Sequence, residues 1–247
     1  MNLESGKIGF IFDLDGTLLD NMDFFLRDMP RQVAQFYGSE FTPEMETFVK
    51  SMMFEAFGGS KLKGKTPILR AILKTAKLYN IPWYKRLQFL KVNYQVYKKG
   101  ITNMSLIPGA EDMLNVLTQK NNFPIGICTT SSEEEIKLRF QNRPEFLDQF
   151  NGALIGRDTV KNPKPAPEGI LKLSKKWGIP PNRLVMVGDF SADVEAGKNA
   201  GTTTIGVLSG FCTLETMKEA NPDFIFQDVT KIPENLPDIL NKIQESV

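Results

Sequence analysis

The sequence predicts an α/β protein, a parallel sheet with helices on both faces, interrupted early by an all-helical insertion. Three observations carry this. Residues Ile8 to Phe12 form a short apolar run of the kind found in buried parallel strands. From Pro108 onward, runs of strand length alternate with stretches of helical spacing, the pattern of strands joined by crossover helices. Between Asp20 and about Asn103 nothing reads as strand, and apolar residues recur at helical spacing. The first strand belongs to the same sheet as the later ones. Residues 1–20 and 104–247 are therefore expected to form one α/β core domain, and 21–103 a helical cap domain inserted into it.

Taken in order, the run Ile8 to Phe12 ends in Asp13 and Asp15, followed at once by Gly16 and Thr17. Helices are expected over 24–37, 44–57, 67–79 and 82–97. Thr42-Pro43-Glu44 is a helix start, with a capping hydroxyl, proline at the first helical position and an acid in the first turn; Thr66-Pro67 repeats the device. A helix over 110–119 leads to the strand 123–128, FPIGIC, and the run Thr129-Thr130-Ser131-Ser132. A helix (133–141), a short strand (152–155) and a helix (167–177) closed by Gly178 follow. The strand 184–187 ends in Gly188-Asp189 and leads to the helix 192–200. Strands 203–207 and 224–226 and a helix over 237–245 complete the chain.

Composition narrows the function. Thirty basic residues stand against twenty-nine acidic ones, so no footprint for nucleic acid or an anionic membrane surface appears. No apolar run approaches a membrane span, and MNLESGK lacks a signal-peptide core. A soluble cytoplasmic protein is expected, as monomer or homodimer. The 247 residues contain no histidine, which removes Ser-His-Asp and Cys-His catalysis and imidazole zinc sites together. Cys128 and Cys212 are too few for a disulfide framework. Neither begins a Cys-x5-Arg loop, since Glu134 and Lys218 stand where arginine would be. Acid–base chemistry falls to carboxylates, lysines, tyrosines or a metal.

Two acids at the carboxyl end of a buried strand sit where open α/β sheets bind ligands. Two like charges that close are costly unless a cation or a proton is shared. The string IGFIFDLDGTLLD resembles the first motif of the haloacid dehalogenase superfamily. The likeness continues at Thr129, at Lys164 within Asn162-Pro163-Lys164-Pro165, and at VMVGDFSAD, with Asp189 and Asp193. It covers almost the whole chain and implies a Rossmann-like three-layer core with a C1-type helical cap, in the branch of phosphoglycolate phosphatases and β-phosphoglucomutases. Asp13 would be a nucleophile forming an aspartyl-phosphate, and Asp15 the general acid and base. Asp13, Asp189 and the backbone carbonyl of Asp15 would hold Mg²⁺. Thr129, Thr130 and Lys164 would bind phosphate. Asp193 would order water on the metal or pair with Lys164; alternatively it is the first-turn acid of the next helix.

A competing pattern, Gly59 to Thr66, matches the phosphate-binding loop GxxxxGK[ST]. That loop needs a buried strand directly before it, and 45–57 carries helical spacing instead. A basic loop between cap helices, with Lys61, Lys63 or Lys65 meeting the substrate's far end, fits better. The expected activity is Mg²⁺-dependent hydrolysis of a small phosphomonoester, phosphoglycolate-like or sugar-phosphate-like. The alternatives are a sugar phosphomutase using the same site and, less favoured, nucleotide binding at Gly59 to Thr66. The expected partner is a small phosphorylated metabolite, with neither nucleic acid nor membrane.

Overall fold

The structure, a computed structural model, describes residues 7–58 and 66–245. The chain divides into two compact units, Met1–Asp20 with Ser105–Val247, and Asn21–Met104.

In the α/β unit, the described strands β1 (Gly9–Phe12), β4 (Ile125–Cys128), β5 (Leu154–Ile155), β6 (Leu184–Gly188), β7 (Thr203–Val207) and β8 (Phe224–Phe226) form one sheet in the order β5-β4-β1-β6-β7-β8. Every pairing in it is parallel. β1 is central: Phe12 pairs with Ile127 on one side and Val187 on the other. Side chains alternate across it. Ile11 joins a core with Met186 of β6, Ile170 and Leu173 of α7 (Glu168–Trp177) and Ala196 of α8 (Ser191–Ala200). On the other face Phe10 lies 5.7 Å from the ring of Phe123 and 6.3 Å from that of Phe12. Phe10 and Phe12 are fully buried, each worth about 1.5–3 kcal/mol on area grounds. The central position therefore fixes the carboxyl end of β1 firmly.

Several boundaries differ from the sequence expectation for local reasons. β4 begins at Ile125 because Pro124 has no N–H, and the Phe123 N–H bonds back to the Leu117 carbonyl at 3.0 Å. Asn151 and Gly152 have positive φ, so β5 is only two residues long. An antiparallel ribbon of two-residue strands, β2 (Leu19–Asp20) and β3 (Ser105–Leu106), was not expected; Asp20 pairs with Ser105. A helix at Leu214–Ala220 also escaped the sequence reading, although the Thr213 hydroxyl caps it by accepting the Thr216 N–H at 3.3 Å.

In the helical unit the described helices are α1 (Met29–Phe36), α2 (Pro43–Gly58), α3 (Thr66–Leu78) and α4 (Arg86–Gly100). The expected single helix over 24–37 is divided: a wide π-type turn at Phe24–Asp28 precedes α1, which carries Pro30 in its first turn. Val33, Ala34, Ala76, Tyr79, Phe89 and Val92 form this unit's own core, and the Tyr79 hydroxyl donates to the Pro30 carbonyl at 3.1 Å. Helix α2, not a strand, precedes Gly59, which removes the structural requirement of a nucleotide-binding loop there. Lys61, Lys63 and Lys65 lie outside the described residues. No helix among the described residues is long and apolar enough to cross a membrane.

Candidate active site

The central strand hands its last turn directly to the site. The Asp13 N–H continues the ladder onto the Val187 carbonyl at 2.8 Å, so the backbone of Asp13 is fixed by β6. Leu14 then starts a tight turn, its carbonyl accepting from Leu18 at 3.1 Å and from Leu19 at 2.9 Å. Gly16 has φ +80°, and a Cβ there would also come within 2.6 Å of the Asp189 carboxylate. Opposite, the loop after β7 closes on the same point. Ser209 donates to the Gly16 carbonyl at 2.7 Å, and the Phe211 N–H donates to Asp189 at 2.9 Å. A side chain on Gly210 would run into the Asp189 carboxylate.

Three carboxylates meet here. Asp13, Asp189 and Asp193 are 5%, 0% and 1% exposed, and one oxygen from each lies within 4.8 Å of the others. Lys164 enters from the loop before α7, its ammonium 2.7 Å from Asp13 and 2.5 Å from Asp193. That loop is held by Glu168, which accepts the Lys161 and Asn162 N–H groups at 3.0 and 2.9 Å, and by Asn199, which donates to the Pro165 carbonyl. Asp193 does two things: besides pairing with Lys164 it accepts the Phe190 N–H at 3.0 Å and so caps α8.

The electrostatics are unbalanced. Burial pushes Asp13 up to about 7; Lys164 works against that, and Asp193 and Asp15 add to it. Asp189 is driven well above the ordinary carboxylate range by burial and by Asp13 and Asp193. Burial works against the charge on Lys164, but Asp13 and Asp193 hold it above the usual lysine range. Three carboxylates facing one ammonium leave two negative charges to offset if all are ionised. An all-oxygen, buried donor set of this kind fits a hard divalent cation such as Mg²⁺.

Asp15, near enough to add to the rise at Asp13, has partners of its own. Its carboxylate receives Arg139 through Nε at 3.2 Å and Nη2 at 3.0 Å, and the Ser131 hydroxyl at 3.0 Å. Arg139 closes α6 (Glu133–Arg139), whose start is fixed by a reciprocal cap: the Glu135 N–H donates to Ser132 Oγ, and Glu135 accepts the Ser132 N–H. Thr129 is buried just past β4, its N–H on the Ile155 carbonyl and its hydroxyl accepting the Ser131 N–H at 3.2 Å. Thr130 is exposed and offers its carbonyl to Arg157 at 3.0 Å. The structure thus groups Asp13, Asp189, Asp193 and Lys164 tightly and links Asp15 to the Thr129–Ser132 loop through Ser131. Sequence reasoning missed Arg139 and the Ser209–Phe211 loop. The only signal for Arg139 was an apolar-flanked arginine at a helix end, which reads as ordinary last-turn charge. Burial raises the thiol of Cys128 to about 12 and that of Cys212 to about 11, so neither is a thiolate at neutral pH.

A parallel sheet whose central strand ends in buried carboxylates beside a lysine has the framework of an α/β enzyme. The chain belongs to the haloacid dehalogenase-like hydrolase family, whose sequence pattern matches residues 10–207. It is 26% identical over 241 residues to a phosphoglycolate phosphatase of Escherichia coli, covering 91% of this chain and 90% of that one. It is 24% identical over 223 residues to the pyrophosphatase PpaX of Bacillus velezensis, covering 90% and 93%. Among solved structures, a predicted phosphoglycolate phosphatase from Haemophilus somnus superimposes with a TM-score of 0.74 at 19% identity, covering 94% of this chain and 99% of that one. A family IA hydrolase from Entamoeba histolytica gives 0.70 at 19% identity, covering 96% and 99%. These structures share the Rossmann-like α/β fold.

Proposed function

We propose that this enzyme is a Mg²⁺-dependent phosphatase that hydrolyses a small phosphomonoester in the cytoplasm through a phosphorylated Asp13. The observation that carries the reading is Asp13 itself: a buried carboxylate at the end of the central strand, 2.7 Å from a buried ammonium, with a second carboxyl two residues on. An Asp13 oxygen attacks phosphorus while the bond to the leaving alcohol breaks, and the alcohol oxygen takes a proton from Asp15. Water then attacks the phosphorus and gives a proton to the Asp15 carboxylate. The bond to Asp13 breaks, and its electron pair returns to the Asp13 carboxylate. Lys164 holds the transferred charge in a site where few waters compete. The Thr129 hydroxyl accepts from Ser131 and so keeps its own proton for a phosphate oxygen. The Thr130 N–H serves the same group.

Asp13, Asp189 and the Asp15 carbonyl would hold the Mg²⁺, which supplies charge that offsets repulsion between an anionic nucleophile and an anionic substrate. The helical unit acts in this reading as a cap that selects the ester. The names of the two relatives favour small phosphate-bearing metabolites.

The test is a panel of phosphomonoesters and pyrophosphate, run with wild type and Asp13→Asn, with and without chelator, beside an assay for isomerisation of β-glucose 1-phosphate. The variant is expected to fold and release no phosphate, and chelator to silence the wild type. Turnover that survives Asp13→Asn removes the reading. Isomerisation without phosphate release makes the enzyme a mutase.

A further inference from the structure

Arg139 is a charged side chain with only 1% of its surface exposed, at the end of a helix whose first turn is acidic. A guanidinium taken this far from water is costly unless its donors are met in good geometry. They are met by one functional group above all: Nε and Nη2 form a side-on fork on the two oxygens of Asp15, and Nη1 donates to the Glu135 carbonyl at 3.2 Å. The fork is itself backed. Glu135, one helical turn before Arg139, is tied to Arg157 at 2.5 Å, and the Arg157 N–H donates to the Ser131 carbonyl at 2.9 Å. Ser131 in turn donates to Asp15. Arg139 and Ser131, which grip the Asp15 carboxylate, are thus anchored by one closed set of contacts around α6.

We propose that Arg139 is the positioning residue for Asp15, aiming its carboxylate at the water that hydrolyses phospho-Asp13. The inference rests on the phosphatase reading above. In that step the water oxygen bonds to phosphorus, its proton passes to Asp15, and the bond to Asp13 breaks. A bidentate fork fixes both the plane and the direction of a carboxylate, which a lysine cannot do.

p-Nitrophenyl phosphate isolates the step, because its leaving group departs as a stable anion and needs no proton. With this ester kcat/KM reports phosphorylation of Asp13, whereas kcat also includes its hydrolysis. Arg139→Met is expected to lower kcat roughly 10- to 100-fold, part of what acid–base catalysis supplies. kcat/KM should stay within about twofold, KM should fall with kcat, and labelled phosphoenzyme should accumulate. Arg139→Lys, which keeps the charge and loses the fork, should fall between the two and carries the test if the methionine variant does not fold. Equal losses in kcat and kcat/KM, or an unchanged kcat, overturn the inference alone. A wild type that cleaves neither this ester nor any in the panel, or an Asp13→Asn variant that still cleaves it, removes the phosphatase reading and this inference with it.

Discussion

Replacing Lys164 by methionine keeps most of the side-chain volume and removes the one positive charge that bridges two buried carboxylates among the described residues. Its ammonium bridges Asp13 and Asp193 at 2.7 and 2.5 Å, with the lysine side chain 5% exposed and the two carboxylate side chains 7% and 2%. At that depth solvent screens little, and stripping one partner from a buried pair costs about 3–5 kcal/mol. For a chain of this size about 1 kcal/mol moves the melting point by roughly 2–4 °C, so the expected fall is roughly 6–20 °C. The measurement is thermal unfolding near pH 8 in chelator, where removing the ammonium leaves the carboxylates least compensated. Adding Mg²⁺ should narrow the gap between wild type and variant, because a cation offsets the same charges. A gap below about 2 °C in chelator would refute the reasoning, since it corresponds to less than about 1 kcal/mol.

Other perturbations probe the surroundings. Gly210→Ala forces a methyl group against the Asp189 carboxylate, an overpacking worth about 1–3 kcal/mol. Titration calorimetry should show weakened Mg²⁺ binding, and an unchanged affinity would count against Asp189 as a ligand. Glu135 offers a pH test. Burial alone would raise its pKa, but hydrogen bonds from Arg157 and Ser132 and the charges of Arg157 and Arg139 bring it below the ordinary 4.5. A depressed folded value contributes stability above 4.5 that is lost as pH falls through the folded value. Glu135→Gln should therefore have a lower urea midpoint than wild type near neutral pH, with the difference shrinking below that point. A difference independent of pH would contradict the pairing.

The site was legible in the sequence wherever a residue sits at the end of a strand that can be read. Asp13, Thr129 and Asp189 each follow a buried run whose burial is now evident, and β1 pairs with both other strands, so the three leave the sheet at neighbouring strand ends. Lys164 was legible through its flanking prolines. Asp193 carried two readings, and both of its contacts, the helix cap and the lysine pair, are made by different oxygens of one carboxylate. What was not legible depends on contacts across the chain. Arg139 and Asp15 are 124 positions apart, and nothing local distinguishes a buried arginine at a helix end from a solvated one. Thr130 enters the phosphate reading through its backbone N–H, and its side chain is exposed past the strand end. Two-residue strands and the short helix after Thr213 carry too little periodicity to be seen.

The ribbon that pairs Leu19 with Leu106 and Asp20 with Ser105 makes the departure and return of the helical segment immediate neighbours. For the sheet, the whole of Asn21–Met104 is then topologically a hairpin loop whose mouth is already sewn shut. Lengthening such a loop costs only a slowly growing entropy, about 0.6 kcal/mol for each doubling. A scaffold with that property can exchange its insertion wholesale while its buried carboxylates stay where they are. Grafting a short Gly-Ser bridge in place of the segment is the direct way to see the sheet fold without it.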